Sequence, residues 1–231
     1  MNRNEFINSL KDRNIQLSNE MIEQLDFYAE YLKEYNEKIN LTAITEYEEV
    51  LDKHFYDSLL LVDRKLEGTL VDVGSGAGFP GVVLKIVLPE LRVILLEPLN
   101  KRCVFLNSLI EKLGLNNIEV INQRGEDYSL DHREEYEYVT ARAVSNLRGL
   151  IEVAGAMVKQ NGYFICLRGK DGLQEIQEAS KAINTMNFEV ESIKEEKLFS
   201  GDKRIISYFI KKGKTPLKYP RKYNIIKKNP L

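Results

Sequence analysis

The chain has 231 residues, 33 basic and 35 acidic side chains, and 43% hydrophobic content. That profile fits one large globular domain with an added piece, or two small ones. No apolar run approaches the roughly 18–20 residues of a membrane span, and the start, Met1 to Phe6, lacks the apolar stretch of a secretory signal. Two cysteines, Cys103 and Cys166, with no CxxC and no Cys/His cluster, argue against a metal or disulfide framework. They point to a reducing cytoplasm and to inert core thiols. Charge is segregated: residues 211–231 carry eight basic side chains and no acid, and the remainder is net acidic. A block of this kind suits a polyanionic partner, and equally a solvated terminus.

In chain order, Asn4 to Arg13 reads as a short helix with Phe6, Ile7 and Leu10 on one side. Ser18 is a suitable N-cap for a longer one, with Met21, Ile22, Leu25, Tyr28, Leu32, Tyr35 and Ile39 forming one apolar stripe. Another helix is expected over Glu46 to Leu61. Residues 1–65 thus read as a helical cap. From 69 onward strands and helices alternate: strand Leu70–Val73, helix Gly81–Leu88, strand Arg92–Leu96, helix Asn100–Leu113, strand Ile118–Asn122, strand Tyr136–Ala141, helix Leu147–Val158, strand Tyr163–Leu167, helix Leu173–Met186. Phe188–Leu198 and Arg204–Ile210 read as a strand pair turning at Ser200-Gly201-Asp202. The expectation is an α/β, Rossmann-like fold, a mainly parallel sheet with an antiparallel edge hairpin. It would span 66–212, between the cap and a basic tail of 213–231.

The stretch Leu70-Val71-Asp72-Val73-Gly74-Ser75-Gly76-Ala77-Gly78-Phe79-Pro80-Gly81 combines strand, glycine turn and helix start, the geometry of a nucleotide-type site at the carboxyl edge of a sheet. A dinucleotide frame GxGxxG fails from Gly74, where Phe79 stands in place of the third glycine, and fits from Gly76 only two residues late. The other frame is acid-x-Gly-x-Gly-x-Gly on Asp72, Gly74, Gly76 and Gly78, the fingerprint of S-adenosylmethionine (AdoMet) methyltransferases of the Rossmann-like class. There Asp72 is expected to attract the donor's ammonium, Glu97 the ribose hydroxyls, and Gly125-Glu126 the adenine. Glu97 serves NAD as well, so an NAD-dependent oxidoreductase stays open on these residues.

The fourth strand ends Val139-Thr140-Ala141-Arg142-Ala143. It lacks the Asp/Asn-Pro-Pro-aromatic signature of an amino-group methylase, and no cysteine sits beside a proline as a carbon-5 pyrimidine methylase needs. An acceptor with a free lone pair and no proton to lose, such as guanine N7, requires only positioning. Arg142 would fork onto phosphate, carboxylate or the guanine edge, or form a structural bridge to an acid such as Asp72.

Asn40-Leu41-Thr42, His54-x-x-Asp57-Ser58, the stretch from Asp72 to Gly81, Lys101-Arg102-x-x-Phe105-Leu106 and Ala141-Arg142-Ala143 together resemble the ribosomal RNA small-subunit methyltransferase G family over nearly the whole chain. The resemblance implies an AdoMet-dependent enzyme methylating N7 of a guanine in 16S rRNA, a cytoplasmic monomer whose partner is the small ribosomal subunit or an assembly intermediate, with neither DNA nor membrane involved. It carries cofactor contacts onto Gly74, Phe79, Gly125, Glu126 and Arg142, and places His54 beside the substrate. Lys101, Arg102, Arg148, Arg168, Lys170, Arg221 and Lys222 are expected on one RNA face. Two segments depart from the family pattern: Arg168-Gly169-Lys170, and the tail, where Tyr219-Pro220-Arg221-Lys222 runs into Tyr223-Asn224 in place of Pro-Gly. A non-catalytic RNA-binding protein on the same fold is the remaining alternative.

Overall fold

The computed structural model describes residues 1–142 and 146–231. Ala143 of the Ala-Arg-Ala motif lies outside them. Helices α1 (Arg3–Asp12) and α2 (Asn19–Asn36) start on side-chain caps, Asn2 accepting from the Glu5 N–H and Ser18 from the Met21 N–H, as the N-cap preference dictates.

The expected helix over 46–61 is irregular. It begins as α3 (Tyr47–Val50), widens into a π-helical turn over Leu51–Tyr56, resumes as α4 (Asp57–Leu59) and ends in a 3₁₀ turn over Leu60–Asp63. The Asp57 N–H reaches back five residues to the Asp52 carbonyl, a bulge frequent at functional sites. Along this stretch Asp52, His54, Asp57 and Ser58 are all buried.

A seven-stranded sheet follows: β1 (Thr69–Val73), β2 (Arg92–Leu96), β3 (Ile118–Ile121), β4 (Tyr136–Arg142), β5 (Val158–Arg168), β6 (Phe188–Lys197) and β7 (Lys203–Lys211). The order is β3-β2-β1-β4-β5-β7-β6, with the pairs among β1–β5 parallel and β7 antiparallel to both neighbours. Between strands run α5 (Gly81–Val87), α6 (Asn100–Lys112), α7 (Gly125–Asp131), α8 (Leu147–Met157), α9 (Gly172–Glu178) and α10 (Ser180–Thr185); α11 (Tyr223–Lys228) lies in the tail. Among these described helices none is long and apolar enough to cross a membrane.

Strand alternation sorts the core into two layers. Leu70, Val93, Leu95, Ile206 and Tyr208 face one side, packed with Phe6, Leu10, Leu25, Leu32, Phe55 and Leu59 of the cap and with α5 and α6. Val71, Val73, Ile94, Leu96, Ile205 and Phe209 face the other, against α8, α10 and the tail. The cap therefore shares one core with the sheet. Three local readings change. Gly125-Glu126, in a stretch given no element from sequence, opens α7, with Glu126 and Asp127 in its first turn, where acids suit the helix dipole. Leu173–Met186 divides at Ala179 into α9 and α10, so that Ile176, Ala179, Ala182 and Ile183 all stay on the sheet. The strand expected over Tyr163–Leu167 begins earlier, at Val158, and carries a kink at Asn161, where φ is +65°.

The start of α5 is packed to the limit. A Cβ on Gly81 would lie 2.4 Å from Leu95 Cδ2 and 2.8 Å from Asp72 Oδ2. Gly81→Ala is expected to lower unfolding stability by about 1–3 kcal/mol, the usual cost of overpacking, as read by urea denaturation. Wild-type stability in the variant would show that β2 yields there.

Candidate active site at the carboxyl rim of the sheet

The glycine turn after β1 spends its amide hydrogens on its own protein. Gly74 and Ser75 N–H both donate to the Leu96 carbonyl, and Gly78 and Phe79 N–H to the Ser75 carbonyl. The Gly76 N–H donates to Glu97 Oε2 at 2.9 Å, and the Leu99 N–H to Glu97 Oε1 at 2.8 Å. Positive φ at Gly74 (+71°) and Gly76 (+61°) lets the backbone turn this way. At the start of α5 the Gly81 N–H is taken by Asp72 Oδ2 at 2.9 Å. A pyrophosphate needs free N–H groups at a helix start; here a carboxylate already holds that place. The turn is built for a cationic or neutral ligand, and this decides against the dinucleotide frame.

Two compartments meet at Gly74 and Pro98. The larger, about 520 Å³, is lined by the turn, Glu97 and Arg102, and by Leu41, Thr42, His54, Phe79 and Arg142. The second, about 380 Å³, lies between Val73, Leu96, Leu150 and Val153, with Gly125 and Glu126 at one end. A Cβ on Gly125 would fall 2.9 Å from Val153 and 3.0 Å from Val73. Glu126 is buried, its Oε1 has no partner, and burial pushes its carboxyl above the ordinary pKa.

Arg142 closes one side of the larger compartment. Its Nη1 donates to the Lys53 carbonyl (3.2 Å) and to Asp57 Oδ2 (3.1 Å), and its Nη2 to His54 Nδ1 (3.1 Å). Because Nδ1 accepts, Nε2 carries the proton and donates to Thr42 Oγ1 at 3.0 Å. Asp57 Oδ1 receives Arg204 Nε at 2.8 Å. The bridge expected to an acid such as Asp72 goes to Asp57 instead. Phe79 is stacked between Tyr28 and His54, with centroids at 5.3 and 4.2 Å, and the Arg142 guanidinium lies 4.9 Å from its ring centre. Tyr28 also donates to the Ala77 carbonyl, so α2 grips the glycine turn. Desolvation and the Arg142 charge together lower the His54 pKa to about 3.

The model of GidB, rRNA small subunit methyltransferase G, matches residues 21–205. The chain belongs to that family. It is 42% identical to the ribosomal RNA small subunit methyltransferase G of Lactococcus lactis subsp. lactis (strain IL1403), across the whole of both chains. It is also 42% identical to that of Lysinibacillus sphaericus (strain C3-41), again across both whole chains. Among solved structures it is similar to M. jannaschii TYW2 in complex with AdoMet (TM-score 0.58, 13% identity, 73% of this chain and 79% of that one). It is likewise similar to a SAM-dependent methyltransferase from Aquifex aeolicus (TM-score 0.53, 16% identity, 77% and 98%). The fold is the Rossmann-like methyltransferase fold, and the cofactor of the family is AdoMet.

The rim fits that cofactor: carboxylates and carbonyls frame the cleft where its charged end would lie, and an apolar slot with an orphaned carboxylate oxygen suits a purine. Gly74, Gly76, Phe79, Glu97, Gly125, Glu126, Arg142 and His54 all line the two compartments. Asp72 does not. It is wholly buried, clasps the start of α5 and leaves Oδ1 unpartnered; its expected attraction of an ammonium gives way to holding the turn. Burial raises its pKa to about 7.

The expected RNA face also changes. Arg168 is paired with Glu175, and Arg221 is locked onto the fully buried Glu152. Both guanidiniums are committed because a buried or half-buried carboxylate demands a partner. Lys170 and Lys222 are exposed. Asp57, Arg204 and Tyr28 are the positioning side chains that sequence reading did not assign. Asp57 stood in the His54-x-x-Asp57 motif, and Tyr28 in the α2 stripe, where it read as core; Arg204 carried no local signal.

Two outcomes follow from these protonation states. The His54 ring is expected to stay neutral, with its proton on Nε2, between pH 8 and 5; ¹H–¹⁵N correlation spectra showing a midpoint near 6 would contradict the described bonding. For Asp72 the folded pKa lies above the unfolded one, so its contribution is complete below about pH 4 and is lost as pH rises through about 7. Asp72→Asn keeps an acceptor for Gly81 and removes that loss. Its stability relative to wild type should climb by more than about 1 kcal/mol from pH 5 to 8 in parallel denaturant titrations; a flat difference would mean the carboxylate is ionised without penalty.

Proposed function

We propose that the chain methylates N7 of a guanine in small-subunit 16S rRNA, with AdoMet lying across both compartments. The carrying observation is the direction of the hydrogen bonds at the rim. The N–H groups of Gly74, Ser75, Gly76, Gly78, Phe79 and Gly81 are taken by carbonyls and carboxylates of the chain itself, not left for a phosphate. Gly74 and Gly76 would carry the amino acid end of the donor. Glu97 retains lone pairs for the ribose hydroxyls beyond those given to Gly76 and Leu99. Gly125 and Glu126 would receive the purine. Bound there, AdoMet supplies an electrophilic sulfonium methyl.

Choice of acceptor rests on the absence of a usable base. Among the described residues lining the larger compartment, His54 has both nitrogens engaged and a pKa near 3, and the remaining lone pairs of Glu97 are those assigned to the ribose. A ring nitrogen with an exposed lone pair needs no deprotonation. The chain's own part is to align the two reactants and exclude water: Phe79, stacked with Tyr28 and His54, supplies apolar lining, and Arg142 is a cation fixed over its ring, suited to the guanine O6. Exposed Lys170 and Lys222 would supply phosphate contacts, with the chain acting as a monomer in the cytoplasm. This reading is supported by the family membership and by the resemblance on which N7 rests.

Incubation with tritiated AdoMet and unmethylated small subunits is expected to place label on guanine N7 of 16S rRNA. Arg142→Ala should lower the transfer rate by about 10²-fold or more, the usual cost of lost alignment. Label on an exocyclic amine or a pyrimidine carbon, or no transfer, would remove the proposal.

A further inference from the structure

Read from sequence, residues 213–231 are a free polycation. In the folded chain they return across α8. Lys211 Nζ, wholly buried, donates to the Gly155 and Met186 carbonyls and to Thr215 Oγ1, and Arg133 donates to the Tyr219 and Thr215 carbonyls. Arg221 then meets Glu152 through four contacts: its N–H to Oε1 at 2.7 Å, Nε to Oε1 at 2.9 Å and to Oε2 at 3.2 Å, and Nη2 to Oε2 at 2.6 Å. Glu152 is completely buried on α8, so breaking this pair would strand a charge.

What this anchor positions is α11. Six residues have no helical stability of their own in water, and the helix stands where docking holds it. Ile226 and Leu231 are buried in the same hydrophobic cluster as Val73, Leu96, Leu150 and Val153, and Ile226 shares the lining of the smaller compartment with those four. Tyr223, Ile226 and Lys227 thereby become lining of the smaller compartment, with Gly125 and Glu126. The Arg124 guanidinium lies 4.1 Å from the Tyr223 ring centre and braces it. Tyr223 is still 38% exposed, apolar surface that a flat ligand in the slot would cover. Tyr223 also stands where the tail departs from the family pattern.

We propose that α11 is the roof of the purine compartment, with Tyr223 stacking on the adenine ring of AdoMet and Ile226 closing the slot, so that the basic tail of this chain is part of its cofactor site. The inference rests on the reading that this compartment takes the adenine. The chemistry is that of aromatic stacking under an apolar ceiling, with the buried Glu126 carboxyl at the polar edge; stacking of a base on one aromatic side chain is worth roughly tenfold in affinity on truncation to alanine.

The test is calorimetry on the full chain with AdoMet and, separately, with adenosine, which lacks the amino acid end. Tyr223→Ala is expected to weaken both ligands about tenfold, and Tyr223→Phe to keep both within about twofold because the ring remains. Ile225→Ala, on the exposed side of the same helix, should match wild type. Ligand-free melting temperatures should be equal, since Tyr223 is partly exposed. Unchanged affinity of Tyr223→Ala for adenosine, or equal losses in Tyr223→Phe and Tyr223→Ala, would overturn the roof. Failure of the wild-type chain to bind either ligand is a different result: it would remove the reading of the rim itself, and the roof with it.

Discussion

The pairing of Arg142 with Asp57 is the constraint from which the site's geometry follows. Burial pulls this guanidinium below its ordinary pKa and pushes the Asp57 carboxyl up; each is the other's compensation, and Arg204 shares the carboxylate. A buried charge without a partner is costly enough that the two must be brought together for the chain to fold. One member ends β4 and the other belongs to the cap, so meeting that electrostatic demand fastens the cap onto the rim of the sheet. His54 and Phe79 arrive at the rim by the same closure.

The glycine turn shows how one sequence motif can be turned to opposite electrostatics. Glycine-rich strand-to-helix turns often hold anions because their amides point outward. Here Glu97 takes the Gly76 amide and Asp72 that of Gly81, while the Leu96 and Ser75 carbonyls take those of Gly74, Ser75, Gly78 and Phe79. With those amides spent and the Glu97 carboxylate lining the cleft, the turn suits a sulfonium donor with an ammonium end better than a pyrophosphate. Asp72 thus shapes the turn from within, its carboxyl raised by burial.

The tail shows a polycation acquiring two sides. Its inward face, carrying Arg221 and Ile226, is committed to α8 and the smaller compartment, next to the buried Lys211 that ends β7; its outward face, carrying Lys222 and Lys228, is exposed. Residue type does not distinguish these lysines and arginines. Their surroundings do, because a buried lysine among three oxygen acceptors has a different role from one in water.

Sequence by itself determined the alternation of strands and helices, the position of the glycine turn, and the identity of Glu97, Gly125, Glu126 and Arg142 at strand ends. Those are local facts: apolar period, capping residues and glycines act over a few neighbours. Tertiary structure alone decided which carboxylate Arg142 pairs with, that Asp72 faces α5, that Arg168 and Arg221 are spent on Glu175 and Glu152, and that the tail roofs a compartment. Each depends on charges far apart in the chain, between 7 and 85 positions in the pairs named for Arg168, Arg221 and Arg142, and on desolvation that exists only once the layers close.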